Sequence, residues 1–269
     1  MIDAHLQLQS CLSKIPAREL ISELRVLGVL HLSVNGTSPE DWGLVSELAE
    51  DFPEVIPSFG VHPWHVQGLK PGWSEVLTGY LEKHPEAGVG EIGLDKWIRN
   101  HDIALQKEVF LEQLQTAEAL GRSVTVHCLQ AWGSLQKSIV ESRYRGAFLL
   151  HSYSGPREMI GEWVKLGAFF SISGYFFRAE KAHKLRVFEE VPEDRILLET
   201  DAPDMSLPDE RVRYRAEGMQ NHPANLEVVY DLYGQWSGLA AGEVRSRMQS
   251  NFGRFRTLRS IRHEPLAKE

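Results

Sequence analysis

The chain is poor in cysteine, has no excess of basic charge, and contains no long apolar run. Each shortage removes a class of protein. Two cysteines occur in 269 residues, Cys11 and Cys128. Two thiols so far apart cannot build a disulfide framework, which favours a reducing, cytoplasmic setting over a secreted one. Acidic residues outnumber basic ones, 37 against 29, giving a formal net charge of −8. The global charge therefore exerts no pull toward nucleic acid or an anionic membrane, although a local basic rim or a bound metal can still hold phosphates. The apolar-leaning stretch 166–177 is too short and too interrupted to span a bilayer. The first twenty residues carry Asp3, His5, Lys14, Arg18 and Glu19, and lack the basic start and apolar core of a signal peptide. No internal repeat and no low-complexity linker divides the chain, so a single domain over residues 1–269 is expected.

What is present is an ordinary globular composition, 42% hydrophobic and 25% charged, arranged in a strong alternation. Short runs rich in β-branched and aliphatic residues recur at 1–5, 29–35, 55–62, 87–93, 123–128, 146–153, 168–174 and 196–202. Near-continuous apolar runs of that length suit strands buried on both faces of a parallel sheet. The segments between them look helical. Residues 17–27, ARELISELRVL, place Leu20, Ile21, Leu24 and Leu27 on one face, with Pro16 at the start and Gly28 at the stop. Residues 103–120 close on Gly121, and Ser38-Pro39 and Gly155-Pro156 open the second and sixth helical segments. Eight such alternations in about 250 residues predict an α/β chain folded as a (β/α)8 TIM barrel, with an open doubly wound sheet as the competing architecture. After the eighth run, 203–219 is polar and turn-prone. Helical segments near 225–237 and 242–251 follow, and the charged tail 260–269 is expected to fray.

On that frame the polar residues collect at strand ends: His5, His62, Glu91, His127, His151 and Asp201. The C-terminal ends of the strands carry the active site in barrels of this kind. Imidazole nitrogen with carboxylate oxygen suits zinc or manganese, and carboxylates also accept magnesium. His5, His127 and His151 with Glu91 and Asp201 would hold one ion, or two if Glu91 bridges. Such ions polarise a substrate oxygen and acidify a bound water that attacks phosphorus or a carbonyl carbon. Singly, each residue has a plainer explanation. A histidine at a strand end is more often a structural hydrogen-bonding residue, Asp201 could cap a turn, and His62 sits in Val-His-Pro-Trp, where the proline marks a turn. Their joint placement carries the argument. Around them Trp64, Lys96 and Trp97 are candidates to stack a base and hold a phosphate, and Arg178 is a similar candidate after the seventh strand. For each of these, packing or solvation is the stronger explanation. Cys128, next to His127, should point to the opposite side of its strand.

In this order the residues resemble the TatD family of metal-dependent hydrolases, within the amidohydrolase-like barrels. The resemblance runs through Met-Ile-Asp-Ala-His at the start, Gly60-Val-His-Pro, Gly90-Glu-Ile-Gly-Leu-Asp95, Val124-Thr-Val-His127, Leu150-His-Ser-Tyr153 and Leu198-Glu-Thr-Asp-Ala-Pro203. NHPANL at 221–226 and Asn251-Phe-Gly-Arg-Phe255 look like the family's closing motifs. The resemblance implies a nuclease or phosphoesterase acting on DNA, with one or two divalent ions (Mg, Mn or Zn). It implies one metal position at His5, Glu91 and Asp201, and another at Glu91, His127 and His151, with Asp201 also taking the proton of the attacking water. Glu91 and Asp201 are then the catalytic pair, with His62, Trp64 and Lys96 on the substrate side. No membrane partner is implied, and a monomer or small homo-oligomer is expected. One departure stands out. The family's His-x-His is His5-Leu6-Gln7 here. An amide oxygen accepts magnesium or calcium but is a poor zinc ligand, so the first metal position is expected to be weakened. His65 is a conceivable replacement ligand. Two rival readings follow: an amide, lactone or phosphomonoester hydrolase on the same site, or a barrel that binds without catalysing.

Overall fold

The computed structural model describes residues 1–257, so the tail expected to fray lies outside the described residues. Eight strands form: β1 Ile2–Leu6, β2 His31–Asn35, β3 Val55–Phe59, β4 Gly88–Asp95, β5 Val124–Leu129, β6 Phe148–Leu150, β7 Ala168–Ser173 and β8 Ile196–Glu199. They pair in parallel and in chain order, β1 to β8. The ring closes through backbone hydrogen bonds just beyond the ends of β1 and β8, from Gln7 N to the Ala202 carbonyl at 2.9 Å and from Asp201 N to the His5 carbonyl at 3.1 Å. An open doubly wound sheet would reverse its strand order part-way. The barrel expectation holds.

Helices fill the connections where the amphipathic pattern put them. Ala17–Val26 starts after Pro16 and stops before Gly28, whose φ of +77° ends the helix in the left-handed region. Ile103–Leu120 is capped by the Asp102 carboxylate, which accepts from Ala104 N and Leu105 N, and it stops at Gly121 in the left-handed conformation. The second helix begins later than its Ser38-Pro39 marker, at Trp42, because Asp41 ties down the intervening turn by accepting from Thr37 N and Ser38 N. Leu226–Ser237 and Ala241–Thr257 complete the described chain.

The period-two alternation of the strands separates two environments. Phe148, Leu150, Phe170, Ile172, Ile196 and Leu198 belong to the main core. Their neighbours Leu149, Phe169 and Leu197 turn the other way, into the barrel, and join Ile2 and Ala4 in a smaller cluster. Phe252 and Phe255 of the last helix pack onto that cluster and stopper the base of the barrel, each such buried ring contributing about 1.5–3 kcal/mol. Two residues further along the same inner face, Leu197 gives way to Glu199, Leu149 to His151 and Thr125 to His127. The interior is therefore apolar at the base and ionisable at the mouth.

Three expected strands overshoot. The runs 55–62, 146–153 and 196–202 stop pairing at Phe59, Leu150 and Glu199. His62, His151 and Asp201 therefore stand on the turns immediately above the barrel rather than in its ladder. Ser152 and Asp201, at φ +40° and +54°, are where the backbone leaves the extended region.

Candidate metal centre

Glu91 lies at the centre of the mouth, 2% exposed. The strand around it is built of close contacts. A Cβ on Gly90 would stand 2.8 Å from the Thr125 side chain, and one on Gly93 would stand 1.9 Å from the His127 carbonyl oxygen. These glycines let β4 and β5 approach closely enough to bring Glu91 and His127 together.

The two oxygens of Glu91 face different partners. Oε1 lies 2.8 Å from His151 Nε2, 3.1 Å from His127 Nδ1 and 3.4 Å from His62 Nε2. Oε2 accepts from Gln7 Nε2 at 2.8 Å and lies 3.3 Å from His5 Nε2. His5 Nε2 is also 3.3 Å from Asp201 Oδ1. The His5 and His151 rings stack at 4.0 Å, and those of His62 and His127 meet at 4.4 Å. Donors bound at about 2.1 Å to one ion stand about 3.0–3.4 Å apart for octahedral and tetrahedral angles. The spacing at the mouth fits that requirement, and the imidazole–carboxylate donor set fits a divalent ion.

Two triads have one ligand atom from each member within 4.8 Å of the others: His5–His151–Asp201 and His62–Glu91–His127. This grouping differs from the partition implied by the resemblance. His151 sits between the two groups, and His62, expected on the substrate side, stands at ligand distance. His65 lies 6.3 Å from His62, centroid to centroid, and belongs to neither triad.

Behind these donors lies a second layer of carboxylates to which the sequence alone assigns no role. Asp95 Oδ2 is 3.0 Å from His127 Nε2 and accepts from Trp64 Nε1 at 2.7 Å, while its Oδ1 accepts from the backbone N–H groups of Trp97 and Ile98 at 2.6 and 3.1 Å. Occupying Nε2 in this way leaves His127 Nδ1 for the site. Glu199 Oε1 accepts from Ser152 N at 2.8 Å and Ser152 Oγ at 2.6 Å, and faces His151 Nδ1 at 3.9 Å. Asp3 accepts from Thr200 N at 3.0 Å and from His5 N at 3.3 Å. That tie sets His5 beside Asp201. The position of Asp3 two residues before His5, on the same side of the strand, is the available sequence signal.

The electrostatics follow from burial and pairing. Burial raises the Glu91 pKa, but the surrounding histidines, His151, His5 and His62 foremost, overcome it and hold the carboxyl well below its usual range. Burial likewise opposes charge on His127, yet the Asp95 and Glu91 carboxylates lift it to about 9. Desolvation opposes ionisation of Asp95, but its hydrogen bonds from His127 and Trp64 outweigh it and bring the carboxyl down to about 2. Burial and the neighbouring His127 push His62 down to about 4. Glu199 is raised, chiefly by desolvation. A buried anion ringed by imidazoles is an environment that a cation can enter.

The outer candidates divide. Trp64, 48% exposed, holds Asp95 with its indole N–H and edges His62 at 5.1 Å, so it sits at the rim. Lys96 does not line the cavity that opens above the site, whereas its neighbour Trp97 does, 63% exposed. Adjacent residues leaving a strand face opposite ways. Arg178 is committed to Glu180, Ser206 Oγ and the Leu207 carbonyl, and holds the loop after β8 rather than facing the site. Cys128 is buried and unbridged, as is Cys11. The cavity measures about 780 Å³, and His127, His151 and Asp201 form part of its wall.

Comparison with known proteins identifies the family and the fold. The model of the TatD-related DNase family matches residues 2–256. The 3′-5′ ssDNA/RNA exonuclease TatD of Pantoea vagans is 29% identical over 261 residues, 93% of this chain and 97% of that protein. The human deoxyribonuclease TATDN3 is 27% identical over 259 residues, 91% of this chain and 90% of its own length. Among solved structures, the TatD homolog YJJV of Escherichia coli K12 superposes with a TM-score of 0.84 at 24% identity, covering 96% of this chain and 98% of that one.

Proposed function

The chain belongs to the TatD-related DNase family of metal-dependent phosphodiester hydrolases, and from that premise we propose that it shortens single-stranded nucleic acid from its 3′ end. One observation carries the assignment of roles: the two oxygens of Glu91 divide the mouth into an imidazole side and a side that carries Asp201. Glu91, His127 and His151 would hold one divalent ion, with His62 beside them. Bound there, the ion would supply Lewis acidity toward a phosphoryl oxygen and toward water. Asp201 accepts the proton of the attacking water at its carboxylate, and His5, 3.3 Å from Asp201 Oδ1, keeps that oxygen in place. Asp95 fixes the orientation of His127. Gln7 presents its amide N–H to Glu91, so the second ion position is filled by a hydrogen-bond donor.

The same reading takes the whole chain as one barrel, acting as a monomer or small homo-oligomer. Its two buried, unbridged thiols support a cytoplasmic setting. No helix among the described residues is long and apolar enough to cross a membrane.

The test is cleavage of a 5′-labelled single-stranded oligonucleotide. A ladder shortening one nucleotide at a time from the 3′ end is expected with Mg2+ or Mn2+, and its loss in EDTA. Turnover that survives EDTA, or purely internal cuts, would overturn the proposal.

A further inference from the structure

The cavity above the metal centre extends past His151 and Asp201 to the connection between β7 and β8, where Lys181 and Lys184 form part of its wall. Both lysines are half-buried, and neither has an ion-pair partner among the described residues. Several other cations of the chain are paired with acids, as in Arg25–Glu54, Lys83–Glu50, Arg213–Glu227 and Arg254–Asp194, so what sets these two lysines apart is their place on the wall of the cavity. The two lysines are nonetheless held in place. Lys184 Nζ donates to the Ser154 carbonyl at 2.8 Å, and Lys181 Nζ rests 4.7 Å from the centre of the Tyr175 ring. An ammonium group has three donors, and a ring face offers no charge to balance it. In a chain of net charge −8, two anchored cations that share a cavity with Asp201 and make no ion pair among the described residues offer their free N–H donors to an anion. Trp97 stands on the same wall, and its exposed ring supplies a face on which an unpaired base stacks.

We propose that Lys181 and Lys184 bind the backbone phosphate adjacent to the scissile one, with Trp97 under a neighbouring base. This rests on the nucleic-acid reading above and deepens it. It assigns the substrate at least one further nucleotide beside the cleaved bond, and it assigns the chain a local basic subsite that its global charge conceals. Lys181 and Lys184 act here as positioning residues for the strand and not as participants in bond breaking.

The test is the K181Q/K184Q double variant, read in two ways. Fluorescence anisotropy of a labelled single-stranded oligonucleotide, measured in EDTA, reads the groove without turnover. Steady-state cleavage with Mn2+ reads KM and kcat separately. We expect Kd and KM to rise about tenfold with kcat within twofold, and the slope of log Kd against log salt to shrink by about 0.7 for each phosphate no longer neutralised. The K181R/K184R variant keeps the charge and should restore binding, which a purely structural role for the two amines would not predict. Equal affinity and equal salt slope in wild type and K181Q/K184Q, with an unchanged melting temperature, would overturn the subsite while leaving the nuclease assignment intact. A wild type that binds the oligonucleotide through these lysines but cleaves neither it nor bis(p-nitrophenyl) phosphate would instead sink the hydrolase reading alone.

Discussion

The two sides of the barrel mouth are built from the same kinds of backbone but finished differently. On the side of β3 to β6, Glu91 Oε1 meets three imidazoles, and a buried carboxylate stands behind two of them, Asp95 at His127 and Glu199, from β8, at His151. On the side of β1 and β8, His5 and Asp201 stand 3.3 Å apart, but Gln7 intervenes and donates to Glu91 Oε2 at 2.8 Å. An amide nitrogen is a donor with no free lone pair for a metal. One carboxylate is thus satisfied on its first oxygen by groups suited to an ion and on its second by a neutral N–H. Under the proposed function, the difference separates two jobs: holding a cation on one side and moving a proton on the other.

The most severe way to break that comparison is Glu91→Gln, which removes the group both sides share. Metal content should fall below about 0.1 ion per chain, and kcat/KM should fall at least about 1000-fold, equivalent to about 4 kcal/mol of transition-state stabilisation. Elemental analysis beside the cleavage assay checks it; a variant that keeps its ion and its rate would remove Glu91 from the centre. Asp201→Asn addresses the proton side alone. Its kcat should drop about 10²- to 10⁴-fold, the usual contribution of a positioned base, while one ion per chain remains. Loss of the ion together with the rate would show that the two sides are not separable.

Much of this architecture is legible in the sequence, and what is not legible has identifiable causes. Eight apolar runs alternating with amphipathic segments encode the barrel because each must be buried on both faces. The runs 55–62, 146–153 and 196–202 exceed their strands, since hydropathy continues past the point where pairing stops, and in the last two the backbone turns at Ser152 and Asp201. The donors His5, Glu91, His127, His151 and Asp201 are readable as strand-end residues. His62 is readable as a strand-end residue too, but its ligand-distance place is not, because Val-His-Pro-Trp reads as a turn and the resemblance assigns it to the substrate side. The work of Asp95 depends on the β4–β5 register, which sets it opposite Leu129 and brings it near His127, and no periodicity reports a register. Sequence cannot rank Lys96 against Trp97 for the same kind of reason: leaving a strand one residue later reverses the face. Arg178, the first cation after β7, is a natural phosphate candidate by position, but its bonds to Ser206 and Leu207 give it a structural role instead.

A smaller effect sharpens the imidazole side. Asp95→Asn leaves every donor in place but weakens the acceptor that orients His127. Metal affinity should fall about 10- to 100-fold, in line with other second-layer carboxylates, with kcat recovering at saturating ion. A titration of rate against Mn2+ separates the two quantities. An unchanged half-saturation would mean that packing alone, from the Trp64 ring and the strand, orients the imidazole.

Gln7→His is the mildest change and the most direct test of why the sides differ. The amide already occupies the space between His5 Nε2, at 3.1 Å, and Glu91 Oε2, so an imidazole placed there enters a gap of suitable size and replaces a donor with a lone pair. If the amide is what keeps the second position from taking an ion, the variant should bind two ions per chain where the parent binds one. The gain is measurable by elemental analysis or calorimetry without any turnover. A second ion beside Asp201 adds charge where the attacking oxygen develops it, and a rise of about tenfold in kcat/KM, about 1.4 kcal/mol, is the expected size. One ion per chain in both proteins would mean that Asp201 and His5 are committed to each other and to the proton. The asymmetry would then belong to the whole β1–β8 side rather than to a single amide.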